Sequence, residues 1–466
     1  MNRTIILLGL LLISIAAFAQ QSPRDMQFAP LKFDPVEPTR FVTENGITVF
    51  FIEDHQLPVV TMKAHFKGGD IYDPSDKIGL AELTAKILRT GGAGQRTPDQ
   101  VDFDLEFVGA SVGSGSSEHS FDLSLRTLKK DIDLGMEILA DIILEPKFDT
   151  AKVNLEKSVT KDQIRRQNDD PGDLTRRVFY QTVYGSHPYG QYPTLKSIDN
   201  ITRSDLASCH KKYFSPDNCI MAVSGDLTEK ELKELLREYF SNWKKTGIAL
   251  PIMNEAVTSY KPGVYYVAKD INQANIRFGH LLMTDDNPDH YAFEIMNFAL
   301  GGGGFSSRMT SQVRTTAGLA YSVGCYPLFR PLMGVHFSFC QTKAESMSQA
   351  LRMMFDVIND VRSNGISAEE MDLAKESIIN GYIFNFDTPA SLVDAYAVNE
   401  LRGFPADKIK TDLEKYRAVT LDKCNQVAKY YLNTENIVIV VTGDKELFDK
   451  PLNTFGQVNE VSLEIE

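Results

Sequence analysis

The sequence predicts an α+β fold made of two tandem, similar α/β sandwich domains, each an antiparallel-rich sheet covered by helices. The first observation is an internal repeat, in which residues 213–226 match residues 431–444 at a constant offset of 218 positions. Each copy has the composition of a buried strand that ends in a Gly-Asp turn. The second observation is that each half opens with strands and continues into long helical stretches. The expected strands include 47–52 and 264–267, and the expected helices include 128–144 and 346–361.

The N-terminus has the pattern of a bacterial signal peptide. Arg3 precedes an apolar run over 5–17, and this run ends in the A-x-A motif of Ala17 to Ala19. We therefore expect a signal peptide over 1–19, cleavage after Ala19, and export to the periplasm. The run is too short to span a membrane comfortably, and no long apolar run follows it, so no transmembrane segment is predicted in the mature chain.

The junction between the two domains is expected where periodicity stops. Residues 246–251 read TGIALP and follow a predicted helix over 227–243. A connection that reaches Pro262 is longer than a tight turn and resembles a linker. The expected boundaries are an N-terminal domain over 20–245, a linker over 246–262, and a C-terminal domain over 263–466.

Composition excludes several classes of function. The chain is 43% hydrophobic and 24% charged, as in ordinary globular proteins, and its formal net charge is −13. Such an acidic balance argues against general binding of nucleic acid, which depends on basic patches. The five cysteines contain no C-x-x-C pair, so they predict neither a metal ribbon nor a disulfide framework, although one bridge is allowed.

Residues 301–323, GGGGFSSRMTSQVRTTAGLAYSV, carry the strongest functional signal. The four glycines permit unusual backbone angles and close approach, and the serines after them can cap a helix. The helix is expected to bury a stripe of apolar residues at every fourth position, and Gly318 is expected to end it. A strand with one face buried is then expected. The stripe comprises Phe305, Met309 and Val313, and the buried face of the strand comprises Leu319, Tyr321 and Val323.

This segment resembles the second half of the pitrilysin/insulinase family of zinc peptidases, in which the glycine-rich loop, the arginine and the tyrosine come in this order. The resemblance implies that Arg314 and Tyr321 act in catalysis. We also expect the loop residues Gly302, Gly303, Gly304 and Phe305 to contact substrate. The resemblance further implies that the two similar domains form one half of a clamshell. Without the resemblance, Arg314 can be a solvated helix charge and Tyr321 a core tyrosine.

The family's zinc motif, His-x-x-Glu-His with a distant glutamate as third ligand, is missing from the expected place. After the Gly-Leu-Ala of residues 79–81, Glu82 and Lys86 occupy the two histidine positions and Ala85 replaces the catalytic glutamate. Gln163 occupies the position of the third ligand. All four positions depart from the motif, so no metal site is predicted in this chain.

The chemistry of the residues agrees with that prediction. Zinc is usually held by histidines at helical spacing, yet none of the eight histidines has another within five residues. Glu82 and Lys86 form instead an acid-to-base pair four residues apart, on the polar face of a helix that buries Leu80, Leu83 and Ile87.

Other motifs carry little signal. The glycines of 301–304 are followed by no Gly-Lys-Ser/Thr and are not a phosphate loop. The stretch Gly113-Ser114-Gly115-Ser116 lacks the context of a serine nucleophile elbow. By the resemblance it can be a strand that lines the substrate chamber and pairs with a peptide, and by composition it can be a plain loop.

The sequence therefore favours the metal-free partner subunit of an exported heterodimeric zinc peptidase. In this interpretation Arg314 holds the substrate or the developing oxyanion, and Tyr321 donates a hydrogen bond to the tetrahedral intermediate. Zinc is expected in the partner subunit and peptides are the expected substrates. The alternative is an inactive structural or peptide-binding scaffold of the same family, and a self-sufficient hydrolase fits the residues least well.

Overall fold

The structure is a computed structural model that describes residues 32–247 and 249–463. The predicted signal peptide over 1–19 lies outside the described residues. The described residues from Pro35 onward form one compact unit. No helix among the described residues is both long enough and apolar enough to cross a membrane.

The first half of the chain forms a six-stranded mixed sheet. Its strands are β1 (Thr39–Val42), β2 (Thr48–Glu53), β3 (Val59–Lys67), β4 (Ser111–Ser116), β5 (Ser120–Leu128) and β6 (Cys219–Gly225). The order across the sheet is β1-β2-β6-β3-β5-β4. Only the β2/β6 pair is parallel. The last strand of this half, β6, is therefore inserted in the middle of the sheet, and β4 lies at one edge.

The second half repeats this plan. Its strands are β7 (Gly263–Ala268), β8 (Gln273–Leu281), β9 (Ala320–Leu328), β10 (Val335–Lys343), β11 (Val438–Gly443) and β12 (Val458–Glu460). The order is β12-β7-β11-β8-β10-β9, so that β11 lies inside and β9 is an edge strand. Every residue of β11 is buried, which explains its uninterrupted run of apolar and small residues.

Helices cover both sheets. In the first half they are α1 (Leu80–Thr90), α2 (Pro98–Val108), α3 (Ile132–Leu144), α4 (Thr150–Arg166), α5 (Pro171–Tyr184), α6 (Leu195–Asn200), α7 (Arg203–Tyr213) and α8 (Glu229–Phe240). In the second half they are α9 (His290–Asn297), α10 (Met347–Asn364), α11 (Ala368–Tyr382), α12 (Pro389–Leu401), α13 (Lys408–Ala418) and α14 (Leu421–Tyr431). Capping boxes fix several of the starts, for example Thr228 with Glu231 before α8.

Two of these helices are exchanged between the halves. Helix α5 packs on β8 and β11 of the second sheet, where the Thr175 hydroxyl donates to the Thr442 hydroxyl at 2.7 Å. Helix α12 packs on β2, β3 and β6 of the first sheet, and Lys63 forms an ion pair with Asp394 at 2.8 Å. The exchange holds the two halves together as one body.

The predicted architecture is confirmed, with local corrections. The repeat strands are β6 and β11, and the two opening strands are β2 and β7. The predicted helix over 128–144 begins only at Ile132, because β5 extends to Leu128. Residues 113–116 are part of the edge strand β4, so the interpretation as a plain loop is wrong. All five cysteines are buried and unpaired, and the bridge that composition allowed does not form.

Candidate functional site

Helix α1 carries Glu82, Ala85 and Lys86, three of the four altered motif positions, and its start is fixed by local structure. It begins after Gly79, whose φ of 99° lies in the left-handed region that favours glycine. The Asp73 carboxylate accepts hydrogen bonds from the backbone N–H groups of Gly79 at 2.8 Å and Ala81 at 3.0 Å. Leu83 and Ile87 are buried, as the sequence predicted. The helix is thus held in place by its apolar face and by its N-terminal carboxylate.

The titratable groups next to this helix have structural roles. Burial raises the pKa of Asp73 to about 7, although hydrogen bonds from the backbone at the start of α1 oppose the shift. Burial likewise raises the pKa of Asp70 to about 6, against the hydrogen bond that the Ser116 hydroxyl donates at 2.9 Å. Asp73 therefore holds the start of α1, and Asp70 accepts a hydrogen bond from the edge strand β4 of the first sheet.

The four motif positions remain clustered but have no zinc chemistry. Glu82 and Gln163 line one cavity of about 320 Å³, which we call the α1 pocket. The Lys86 ammonium forms an ion pair with Glu82 at 2.7 Å, as predicted, and Ala85 is buried without a donor group. One paired carboxylate, an ammonium and a neutral amide do not fit a zinc ion. Across the described part of the chain, no group of three or more His, Cys, Asp or Glu side chains is arranged to hold a metal ion.

The glycine-rich loop follows α9 and packs closely against β9. A π turn over Phe298–Gly302 leads into a 3-10 turn over Gly304–Ser306. A Cβ atom on Gly301 would lie 2.4 Å from the Cys325 Sγ, and one on Gly303 would lie 2.6 Å from the Phe298 ring. Gly304 has φ of 58° with no atom near its missing Cβ. Two of the glycines are therefore required for packing and one for backbone geometry.

The expected substrate contacts of the loop remain predictions. Gly302 lines a cavity of about 400 Å³ next to α11. Gly303 is half-buried against Phe298, while Gly304 and Phe305 lie on the surface. Phe305 is 73% exposed, so its predicted place in the buried stripe is wrong.

The helix after the loop is a π-helix over Thr310–Thr316, not the regular helix that the apolar spacing predicted. The Ser307 hydroxyl oxygen accepts the Thr310 N–H at 3.4 Å, as a cap does, and Met309 and Val313 are buried. Gly318 ends the helix with φ of 65°. A π-helix has more residues per turn than an α-helix, and such segments are frequent at functional sites.

Arg308 anchors this helix, a role that sequence reasoning missed. Its guanidinium donates two hydrogen bonds of 2.6 Å to Glu370 and one of 2.7 Å to Asp360. The bidentate pair fixes the segment to α11 and the ion pair fixes it to α10. The Ser-Arg pair after the loop is the part of the sequence that points to Arg308. The acidic partners of Arg308, however, lie more than fifty residues away in the chain.

Tyr321 lies on the uncovered edge strand and points to solvent. Ser322 pairs with Gln341, and Ala320 pairs with Thr342, so Tyr321 is the extra residue of a β-bulge. Its side chain is 76% exposed, and its hydroxyl has no hydrogen-bond partner within the described residues. The predicted inward orientation is wrong, because a bulge interrupts the alternation of faces. The interpretation as a core tyrosine is wrong for the same reason.

Arg314 lies on the π-helix that packs on β9. Its guanidinium carbon is 5.0 Å from the centroid of the Phe305 ring. Within residues 32–247 and 249–463 it has neither an acidic partner nor a hydrogen-bond acceptor for its side chain. Phe305, Arg314 and Tyr321 together are called the Arg/Tyr edge below. The Arg/Tyr edge therefore presents a cation and a hydroxyl donor that have no polar partner within the described chain, beside the exposed ring of Phe305.

The family to which the chain belongs is shown by two family models. Residues 48–194 match the model described as Insulinase (Peptidase family M16), and residues 200–378 match the model described as Peptidase M16 inactive domain. Together they cover well over half of the chain. The chain belongs to the M16 peptidase family. The resemblance seen in the sequence is thereby confirmed.

Two curated relatives differ in what their names say. An uncharacterized zinc protease of Mycobacterium tuberculosis is 26% identical over 334 residues, which are 71% of this chain and 76% of the relative. The non-peptidase homolog YmxG of Helicobacter pylori is 24% identical over 413 residues, which are 87% of this chain and 94% of the relative. The second name and the altered motif positions support an inactive member of the M16 family.

Solved structures confirm the fold of two similar halves. The crystal structure of a peptidase M16 inactive domain from Pseudomonas fluorescens matches with a TM-score of 0.81 and 24% identity, over 89% of this chain and 100% of that chain. The periplasmic protease PqqL of Escherichia coli matches with a TM-score of 0.75 and 16% identity, over 93% of this chain. The match spans 52% of PqqL, so this chain corresponds to about half of that longer protein.

Proposed function

We propose that this chain is the metal-free subunit of a two-chain M16 peptidase, and that its Arg/Tyr edge completes a zinc site held by a partner subunit. The observation that carries the proposal is the absence of polar partners for Arg314 and Tyr321 within the described chain. A cation and a phenol held at an open edge strand, without an internal use, suit contacts with another molecule.

The proposed roles follow from the chemistry of peptide hydrolysis. The oxygen of the scissile carbonyl gains negative charge as the tetrahedral intermediate forms. Tyr321 donates a hydrogen bond to that oxygen, and Arg314 stabilises the same charge or holds the peptide backbone. Gly302, Gly303, Gly304 and Phe305 contact the peptide beside them. In this proposal the chain alone is inert, and it binds no zinc of its own.

A second candidate function is an inactive scaffold of the same family. It is favoured by the glycine-rich loop, since the packing of Gly301 and Gly303 explains these residues without any substrate. The name of the H. pylori relative is consistent with it as well. In that case the Arg/Tyr edge is a remnant, and changes to it affect no reaction.

We also propose that the chain is exported and acts in the periplasm. The proposal rests on the signal-peptide pattern over 1–19, and the structural relative PqqL is itself described as a periplasmic protease. The domain boundaries at 20–245, 246–262 and 263–466 are part of the same proposal. Residues 246, 247 and 249–262 contain no helix or strand.

Reconstitution with an M16 chain that carries His-x-x-Glu-His, encoded next to this one, tests the proposal. We expect the two to elute as a heterodimer with an interface on the order of 2,000 Å² or more. Elemental analysis should find about one zinc per pair, and none on this chain alone. An unstructured peptide should be cleaved only by the mixture. Separate monomers at micromolar concentration, or full activity of the partner alone, would contradict the proposal.

A further inference from the structure

A cavity of about 360 Å³ lies where helix α5 begins to cross the second sheet. Its floor comprises residues of β8, β10 and β9, among them Arg277, Asn275, Gln341 and Ser322. The first turn of α5 forms its wall. Ser322 is the neighbour of Tyr321 in β9, so the cavity is close in the chain to the Arg/Tyr edge.

Arg277 lines this cavity, and its guanidinium lies among aromatic rings. Its carbon lies 4.0 Å from the centroid of the Phe337 ring, and the rings of Phe179 and Tyr180 lie 5.9 Å and 5.6 Å away. The aromatic faces hold the planar group and contribute cation–π attraction. Burial lowers the pKa of Arg277, which means that its surroundings disfavour the charge.

Arg277 has no acceptor for its donors within the described chain. Its Nε is fully buried without a hydrogen-bond partner, and neither terminal nitrogen forms a hydrogen bond or an ion pair. A buried cation is expected to be paired, and an unmade charge-assisted bond is costly. Aromatic contacts alone offset only part of that cost.

Arg330 is a second arginine whose guanidinium lies among aromatic rings, and its partners can be compared with those of Arg277. Its guanidinium also lies over aromatic rings, at 4.5 Å from Tyr189 and 5.2 Å from Tyr184. There, however, the Glu118 carboxylate forms an ion pair with Nη2, although Nη1 is buried without a hydrogen-bond partner among the described residues. Arg277 has a similar aromatic setting, but it has no carboxylate partner within the described chain and lines an open cavity instead.

We infer that this cavity binds a carboxylate, which the Arg277 guanidinium recognises through its free N–H donors. The other polar groups on the floor are the Ser322 hydroxyl and the amides of Gln273, Asn275 and Gln341, groups that can donate to such an oxygen. The Gln341 amide already donates one hydrogen bond to the Gln273 side-chain oxygen at 2.9 Å. The wall carries the carboxylates of Asp170 and Asp173 and the guanidinium of Arg176, which forms an ion pair with Asp173 at 3.0 Å. The two carboxylates disfavour a doubly charged phosphate more than a singly charged carboxylate.

The source of the carboxylate is a peptide, as its C-terminus or as an acidic side chain. That identification rests on the proposed function, whereas carboxylate binding by Arg277 does not. The cavity would then hold one end of a peptide whose backbone lies along the Arg/Tyr edge.

The test uses fluorescent peptides and the isolated mature chain, so that it needs neither the partner subunit nor turnover. One pair of ten-residue peptides, without acidic side chains, has a free or an amidated C-terminus. A second pair, both amidated, has one internal glutamate or glutamine. At least one carboxylate form should bind roughly 10- to 100-fold more tightly than its neutral counterpart. The pair that shows the ratio identifies the source.

The variant Arg277→Met should reduce that ratio to about one, and Arg277→Lys, which lacks the planar fork, should reduce it partly. The melting temperature of Arg277→Met should not fall, because an unpaired buried charge is removed and an apolar chain packs on Phe337. Arg165→Met, at an exposed arginine, is the control and should keep the ratio. Equal binding of both members of each pair to the wild type, or a ratio that persists in Arg277→Met, would overturn the inference. Either result would leave the reconstitution test of the proposed function unaffected.

Discussion

The α1 pocket holds the positions that depart from the M16 zinc motif, the Arg/Tyr edge is the site that we propose to act in a partner's reaction, and the two differ in how their polar groups are satisfied. In the α1 pocket Glu82 is paired with Lys86, and the neighbouring Asp73 holds the start of the helix. At the Arg/Tyr edge, Arg314 and Tyr321 have no polar partner in the described chain. At the motif positions of the first region the charged groups are paired within the chain, whereas the second region has free donors. The difference teaches that the fold of this chain accommodates altered residues at the zinc-motif positions and still presents unpaired donors on the second half.

The largest expected effect is on turnover, at Arg314. Replacing Arg314 with alanine in the reconstituted pair should lower kcat/KM roughly 100- to 1,000-fold, the usual effect of losing a donor to a developing oxyanion. Heterodimer formation should not change, since Arg314 contacts mainly Phe305. The comparison is with Arg165→Ala, which removes an exposed arginine elsewhere and should leave kcat/KM unchanged. Equal activities of the two variants would mean that the edge is as inert as the α1 pocket.

A smaller effect on stability should separate packing from substrate contact in the glycine-rich loop. Gly301→Ala places a Cβ atom against Cys325 and should cost about 1–3 kcal/mol of unfolding free energy. Gly304→Ala meets no atom and should cost only about 1 kcal/mol, from its left-handed backbone. Chemical denaturation of both variants measures this order. If Gly304→Ala also raises KM of the pair at nearly normal stability, the loop contacts the peptide. A loss of stability larger in Gly304→Ala than in Gly301→Ala would refute the packing account.

The exchange of α12 predicts a stability effect that depends on pH. His65 is buried, and its Nε2 lies 2.7 Å from Asp394 while its Nδ1 contacts Asp122. Burial alone would lower the pKa of His65, but the hydrogen bonds to the two carboxylates raise it overall. This stabilisation is complete below the unfolded pKa of about 6.5 and is lost as the pH rises through the folded pKa.

Asp394→Asn should therefore cost about 1–3 kcal/mol at about pH 6 and less at about pH 9. Urea denaturation at both pH values, with Asp387→Asn on the exposed turn before α12 as control, measures the difference. A cost that is unchanged or grows with pH would show that the imidazolium does not tie the two halves.

The smallest effect is expected in the α1 pocket. Lys86→Met removes an ion pair on the surface of α1 and should change the unfolding free energy by no more than about 0.5 kcal/mol. Turnover of the reconstituted pair should be unchanged. A loss of activity comparable with that of Arg314→Ala would mean that this pocket, and not only the opposite edge, contributes to the reaction.

Much of this fold could be predicted because its signals are local. Short stretches of sequence contain each of these signals. They are the two copies of the repeat that form β6 and β11, the pair of Glu82 with Lys86, and the glycine-rich loop followed by Arg314. The orientation of Tyr321 could not be predicted, since the bulge depends on how β9 pairs with β10. The surroundings of Arg277 could not be predicted either, because its aromatic neighbours Phe179 and Tyr180 come from a helix of the other half.

The most direct test of the central claim is kcat/KM of the reconstituted pair with Tyr321→Phe, set beside Tyr430→Phe. The two tyrosines are 76% and 78% exposed, so each change removes one hydroxyl from a similarly solvated ring. The expected result is a loss of roughly 100- to 1,000-fold for Tyr321→Phe and none for Tyr430→Phe, with equal melting temperatures and intact heterodimers. Nearly normal turnover in the Tyr321→Phe pair would contradict the proposed role and leave this chain a structural companion.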